Sequence, residues 1–302
     1  MTPFPRALSL AVAVSLVVAA SAAPQSTNGK KPRTRQIFVT VTGNTGQPVL
    51  DLATSDFEIS EGGATRTVLH AGLATNPMRV ALMVDTSDAA NAAIAHIRTG
   101  VVSFLETLAP EQEVMLVTTG RQMRVRVPFT TDRKKLVSTA GGLFGDGAGT
   151  PLMDALLEVD QRFMSKADDR WPVFVIVTSD GTESSTSVRD KEFNRWVDGL
   201  RYRAATVEAI ALKARGNGGL PEVIAMNACT NTGGHYDSIL ASSALPDKLK
   251  ALATQMNSDF DKMRLRYQID FETETAGLLS NVEAGVNREG VKLQLSYQRR
   301  FP

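Results

Sequence analysis

Four stretches of this chain each carry an unbroken apolar run of four or five residues: VALMVD (80–85), EVMLVTTG (113–120), PVFVIVTSDG (172–181) and TVEAIAL (206–212). A strand with no polar side has to be covered on both faces. The intervening sequence supplies the cover. After the first run, Ile94, Ile97, Val101, Phe104 or Leu105, and Leu108 recur at helical spacing. Leu152, Leu156, Val159 and Phe163 mark one face of a helix in TPLMDALLEVDQRF, Phe193, Val197 and Leu200 mark another, and Leu249, Leu252, Met256 and Phe260 line a closing helix. MRVRVPF reads as a strand joined by a tight turn to the one before it, and GHYDSI as the last strand. Apolar strands alternating with amphipathic helices specify an α/β fold built on a doubly wound, mostly parallel sheet.

On both sides of this core the period changes to two. In QIFVTVTG, Ile37, Val39 and Val41 alternate with Phe38, Thr40 and Thr42. The turn NTGQP follows, then a strand in SDFEIS, a turn in EGGA and a third strand, TRTVLHAG. Beyond Lys262 the alternation returns in LRYQIDFETE and GVKLQLSYQRR, separated by a polar loop. Strands this short bury little unless they find partners. The expectation is that the N-terminal β segment, 36–75, pairs with the C-terminal one, 263–302, in a small sheet or sandwich, with an α/β domain over 76–262 inserted into it.

The chain starts with Arg6, the apolar run Ala7–Ala20 and the small residues Ser21, Ala22 and Ala23. This reads as a secretory signal, 1–23, cleaved after Ala23; the alternative is an uncleaved anchor, for which the run is short. Residues 24–35 (PQSTNGKKPRTR), with Lys30, Lys31, Arg33 and Arg35, read as a disordered, solvated tail. The expected product is exported, periplasmic or secreted, and has no stable membrane span after cleavage. Cleavage removes Arg6 and leaves 32 basic against 32 acidic residues, a balance that argues against a nucleic-acid partner. Cys229 is the only cysteine, so no intrachain disulfide forms and the packed core has to supply the stability. It reads as a buried structural thiol.

In doubly wound sheets ligands sit beyond the carboxyl ends of the strands. Three polar stretches fall there. Asp85, Thr86 and Ser87 follow the first apolar run, Thr150 follows the glycine-rich GGLFGDGAGT and opens a helix, and Asp180 follows VFVIVTS. Carboxylate and hydroxyl oxygens are hard ligands, suited to Mg²⁺, Mn²⁺ or Ca²⁺ rather than to zinc. Each residue also has a plainer reading: Asp85 as a helix cap, Thr150 as an N-cap before Pro151, Asp180-Gly181 as a turn pair. GDGAGT lacks the Gly-Lys-Ser/Thr of a phosphate loop, G-x-S-x-G is absent, and His70, His96 and His235 are isolated.

VDTSDA, GTPLMDAL and VTSDGTES, in that order, resemble the three loops of the von Willebrand factor A-type domain, whose Rossmann-like fold carries a metal-ion-dependent adhesion site (MIDAS) written D-x-S-x-S, Thr, Asp. CTNTGGHYD resembles the stretch before that family's last strand. The flanks GQPVLDLATSDFEISEGGATRTV and LRYQIDFETE are similar to exported bacterial A-domain proteins, often acidobacterial. The resemblance implies that Asp85, Ser87, Thr150 and Asp180 hold Mg²⁺ or Mn²⁺, and that a carboxylate of a protein or peptide partner completes the ion's shell. It implies adhesion or assembly rather than enzymatic activity. The chain departs from the pattern at Ala89, where the family has a second serine, so the site is degenerate by one oxygen. Two readings stay open: a metal-dependent binding module, and a structural or assembly protein with an unused relict site that interacts through its β edges.

Overall fold

The computed structural model describes residues 33–165, 170–187, 189–213, 219–279 and 281–299. The expected signal, 1–23, and most of the expected tail lie outside them. The strands are β1 (Arg33–Gly43), β2 (Phe57–Glu61), β3 (Ala64–Arg66), β4 (Val68–Leu73), β5 (Met78–Val84), β6 (Glu113–Thr118), β7 (Arg124–Thr130), β8 (Trp171–Ser179), β9 (Thr206–Leu212), β10 (Tyr236–Ile239), β11 (Tyr267–Thr273), β12 (Val282–Val286) and β13 (Val291–Ser296). The helices are α1 (Ile94–Thr107), α2 (Arg133–Gly141), α3 (Leu152–Val159), α4 (Asp190–Tyr202), α5 (Leu220–Thr232) and α6 (Leu245–Met263).

The central sheet has the order β10-β9-β8-β5-β6-β7, parallel except for β7. Along β5, Val80, Leu82 and Val84 face a layer formed with α1, α2 and α6, while Ala81 and Met83 face one formed with α3, α4 and α5. That alternation, apolar on both sides, is what the unbroken run encodes. The chain leaves β5 for β6 on one side and returns to β8 on the other. The switch point of the sheet therefore lies between the ends of β5 and β8.

The flanking strands form two antiparallel sheets, β13-β1-β11-β4 and β12-β2-β3. Ile37 and Val39 of β1, Phe57 and Ile59 of β2, and Ile269 and Phe271 of β11 meet in one apolar core between them. The Tyr267 hydroxyl accepts the Leu52 N–H at 2.9 Å and ties the first connection down. Three details differ from the sequence reading. TRTVLHAG is two strands, because the chain changes sheets at Thr67: β3 pairs with β2 and β4 with β11. The polar loop near the C-terminus contains β12, which pairs with β2. β1 begins at Arg33, inside the expected tail of 24–35. Arg33, Thr34 and Arg35 pair with Thr273, Glu272 and Phe271, and the buried Arg35 guanidinium lies over the Tyr202 ring and donates to the Gly277 carbonyl at 2.7 Å.

Glu61 joins the two small sheets. Its carboxylate accepts the Thr273 and Thr275 hydroxyls at 2.6 Å each, with Arg66 Nε 3.2 Å away. Burial works to raise its pKa, yet the two hydroxyls and Arg66 together hold it below the usual carboxylate value. A depressed folded pKa contributes stability above the unfolded value, about 4.3, and that contribution is lost as pH falls through the folded one. Glu61→Gln should therefore flatten the acid limb of stability. Urea unfolding from pH 6 down to 3, wild type against variant, checks this; parallel acid limbs would show that Glu61 carries none of it.

Candidate metal centre

All four candidate residues are buried at the carboxyl rim, Asp85 at 1%, Ser87 at 1%, Thr150 at 0% and Asp180 at 8% exposure. Asp85 leaves β5 beside β8, its amide donating to the Val177 carbonyl at 2.8 Å. It does not cap α1. Instead Oδ1 accepts the Ser87 N–H at 2.8 Å, an Asx turn that folds the first loop back, and Oδ2 accepts the Ser179 hydroxyl.

Thr150 is held from both sides. Its amide donates to the Thr182 carbonyl and its carbonyl accepts from Ser184 N–H, both at 3.0 Å, so the second loop is zipped to the third. Its hydroxyl donates to the Thr119 carbonyl at 2.9 Å, and Thr119 N–H in turn donates to the Val84 carbonyl, one residue before Asp85. The N-cap reading of Thr150 is corrected here: α3 begins at Leu152, and Glu183 and Ser185 accept its first amides from Leu152 and Asp154 at 3.2 and 2.9 Å. The Thr150 hydroxyl is thus spared capping and, having donated to a carbonyl, keeps a lone pair. Burial pushes the Glu183 carboxyl up, with the Ser185 hydroxyl and nearby amides pulling against it.

Two glycines permit the approach. A methyl group placed on Gly149 would lie 2.7 Å from the Thr182 carbonyl oxygen. One placed on Gly181 would lie 2.9 Å from the Ala89 Cβ and 3.5 Å from the Ser87 hydroxyl. Asp88, the neighbouring charge in the first loop, is turned elsewhere: it is exposed, and its carboxylate accepts the Ala148 N–H at 2.9 Å. Thr86 performs a similar strapping, its hydroxyl donating to Asp146 at 3.1 Å while its carbonyl accepts the Asp146 amide at 2.8 Å.

Among the described residues no three His, Cys, Asp or Glu side chains gather to hold a metal. An ion at this rim would depend on hydroxyl and water oxygens beside two carboxylates. The residues present fit that requirement at one decisive atom: the Ser87 hydroxyl is buried with no hydrogen-bond partner. An unpaired buried hydroxyl costs about 1–3 kcal/mol, and a hard cation would satisfy it.

Residues 80–183 match the family model of the von Willebrand factor type A domain. Residues 80–183 carry a von Willebrand factor type A domain. Such domains are a family of protein-binding modules, generally non-catalytic. The fold is similar to a von Willebrand factor type A protein from Catenulispora acidiphila, at 11% identity, 88% of this chain and 72% of that one, with a TM-score of 0.51. Smaller overlaps occur with the conserved hypothetical protein BatB from Bacteroides thetaiotaomicron (12% identity, 61% of this chain, 99% of that one, TM-score 0.48). A third is with proximal thread matrix protein 1 from the mussel byssus with a zinc-occupied MIDAS motif (9% identity, 70% of this chain, 50% of that one, TM-score 0.49). No curated protein matches the sequence.

Three residues of the A-domain rim escaped the sequence reading: Ser179, Thr119 and Asp146. Ser179 stands inside the quoted VTSDG, and its place at the strand end beside Asp180 was the available signal. Thr119 and Asp146 gave none, since their roles depend on backbone groups contributed by other loops. Among the described residues no helix is long and apolar enough to cross a membrane.

Proposed function

We propose that this protein is an exported, non-enzymatic binding module that captures an acidic group of a protein or peptide partner through Mg²⁺ or Mn²⁺ held by Asp85, Ser87, Thr150 and Asp180. The observation that carries the reading is the unpartnered, buried Ser87 hydroxyl at the junction of three loops tied to one another by backbone hydrogen bonds. Such an ion supplies a Lewis-acidic point of attachment for a carboxylate. The chain's own residues hold and aim it. Asp85, fixed at both oxygens, and Asp180 provide negative charge, while the Ser87 and Thr150 hydroxyls provide neutral oxygens. With Ala89 in place of a hydroxyl, a water would have to supply one more oxygen to a bound ion, which would weaken the site without abolishing it. Export rests on the sequence of residues 1–23.

The test is capture from the native envelope by immobilised protein, with Mn²⁺, with chelator, and with Asp180→Ala. The expected result is a partner retained with Mn²⁺, released by chelator and not captured by the variant. Capture indifferent to all three conditions would overturn the metal reading. It would leave the edge strands β4 and β13 as the route of interaction.

A further inference from the structure

The core between the two small sheets is open at one end, and the buried Arg35 stands there among apolar walls. We propose that this opening is a second binding site, one that takes a small amphipathic anion: an acyl chain lies in the cavity and its carboxylate or phosphate head meets Arg35.

Register accounts for the placement. On β1, Arg35 shares a face with Ile37 and Val39, which belong to that core. Val39 pairs with Leu295 of β13, itself packed against the same core. Beyond them the C-terminal end of α4 brings in Arg201 and Tyr202, and a cavity of about 360 Å³ is left between. That volume suits a small ligand, and such pockets form preferentially where domains meet. Leu278, Leu295 and the side chains of Tyr202 and Tyr297 supply an apolar wall. Arg35 and Arg201 supply charge, and among the described residues no Asp or Glu lines the cavity. Arg201 has a partner only in the exposed Asp198, at 3.5 Å.

Arg35 gives the cavity its selectivity. It is 4% exposed, lies over the Tyr202 ring and donates to the Gly277 carbonyl, yet its Nε is buried with no hydrogen-bond partner. Glu61, which also acts on this cation, is engaged by Arg66, Thr273 and Thr275. An oxyanion would satisfy the stranded donor, and the guanidinium fork suits carboxylate and phosphate alike. An uncharged chain would fill the walls and leave Nε unmet, while a bare anion would forgo the walls. The site is separate from the metal centre. Tyr202 precedes β9, whose first residue, Thr206, pairs with Val173 near the start of β8, whereas Asp180 follows the end of β8. The two sites therefore lie at opposite ends of the central sheet, about 20 Å apart along the strands.

The experiment is calorimetry on the full chain, with chelator present throughout. The probes are octanoate and octyl phosphate below their micellar concentrations, octanol as the chain without charge, and acetate as the head without chain. Octanoate or octyl phosphate should bind at least about 10-fold more tightly than octanol or acetate, and the tighter of the two names the head group. A charge-assisted hydrogen bond is worth about 10–100-fold in affinity, and Arg35→Gln should lose that much. Because Arg35 is buried, Leu278→Glu repeats the test from an exposed wall position, with thermal unfolding to show that the variant is folded. Its carboxylate should repel both anions and weaken them by a similar factor. If wild type binds octanol as tightly as the two anions, or takes up none of the probes, the proposal fails. It fails equally if folded Leu278→Glu keeps wild-type affinity. None of these outcomes bears on the metal reading, which is measured with Mn²⁺.

Discussion

Asparagine in place of Asp85 should weaken Mn²⁺ binding by more than about 100-fold while the protein stays folded. The geometry separates charge from structure at this position. Asp85 accepts the Ser87 amide on one oxygen and the Ser179 hydroxyl on the other. In the variant the amide oxygen still accepts from Ser87. The new NH₂ donates to Ser179, whose hydroxyl turns from donor to acceptor. The Ser87 amide and the Ser179 hydroxyl oxygen each keep a partner, so stability should change by only about 1 kcal/mol. What disappears is one negative charge in a site that has only two carboxylates and otherwise neutral hydroxyls. Loss of a carboxylate charge beside the ion should exceed the 10–100-fold typical of supporting partners. Asp85→Ala is a poorer test, since it strands two buried donors at about 1–3 kcal/mol each and mixes unfolding with lost affinity. Mn²⁺ titration by electron paramagnetic resonance, with circular dichroism melts, makes the check. Wild-type affinity in Asp85→Asn would show that Asp85 holds no ion.

How much of this was legible in the sequence follows from how burial is written in residues. β5 and β8, covered on both faces, are unbroken apolar runs, and their helices announce themselves at a period of 3.6. The small sheets are written less clearly. Nothing in TRTVLHAG marks Thr67 as the place where the chain changes sheets. β12 is short and mostly half-exposed, so its residues look like a loop. Arg33–Arg35 carry the composition of a tail and become strand only because Arg35 finds the Tyr202 ring and the Gly277 carbonyl, both distant in sequence. Propensity yields to tertiary contact there. At the rim, the order of three polar loops after apolar strands was enough to place Asp85, Ser87, Thr150 and Asp180 at the carboxyl ends of the strands, where the structure buries them. It was not enough to distinguish an N-cap from a residue held by Thr119, because that depends on which amides Glu183 and Ser185 accept.

The same logic gives the largest expected loss of stability, at Phe38. Its neighbours on β1, Ile37 and Val39, belong to the core between the two small sheets. Phe38 points the other way, is fully buried, and joins the core of the A domain with Met78, Trp171 and Met263. The guanidinium carbons of Arg299 and Arg266 stand 4.9 and 5.6 Å from its ring centroid. Burial, and then the proximity of Arg299, push the Arg266 pKa down to about 9, so the ring is also part of what makes a buried cation tolerable there. Phe38→Ala should therefore cost about 3–5 kcal/mol through the cavity alone. It should do so for both halves of the molecule at once. Both tryptophans, Trp171 and Trp196, lie in the A domain, on β8 and α4, whereas Phe38 lies on a flanking strand. Urea unfolding followed by tryptophan fluorescence reads the A domain, and far-UV circular dichroism reads the whole chain. A single transition shifted to lower urea in both signals is the expected outcome. A tryptophan transition that stays where it was would mean that the flanking strands fold independently and that Phe38 does not join the two layers.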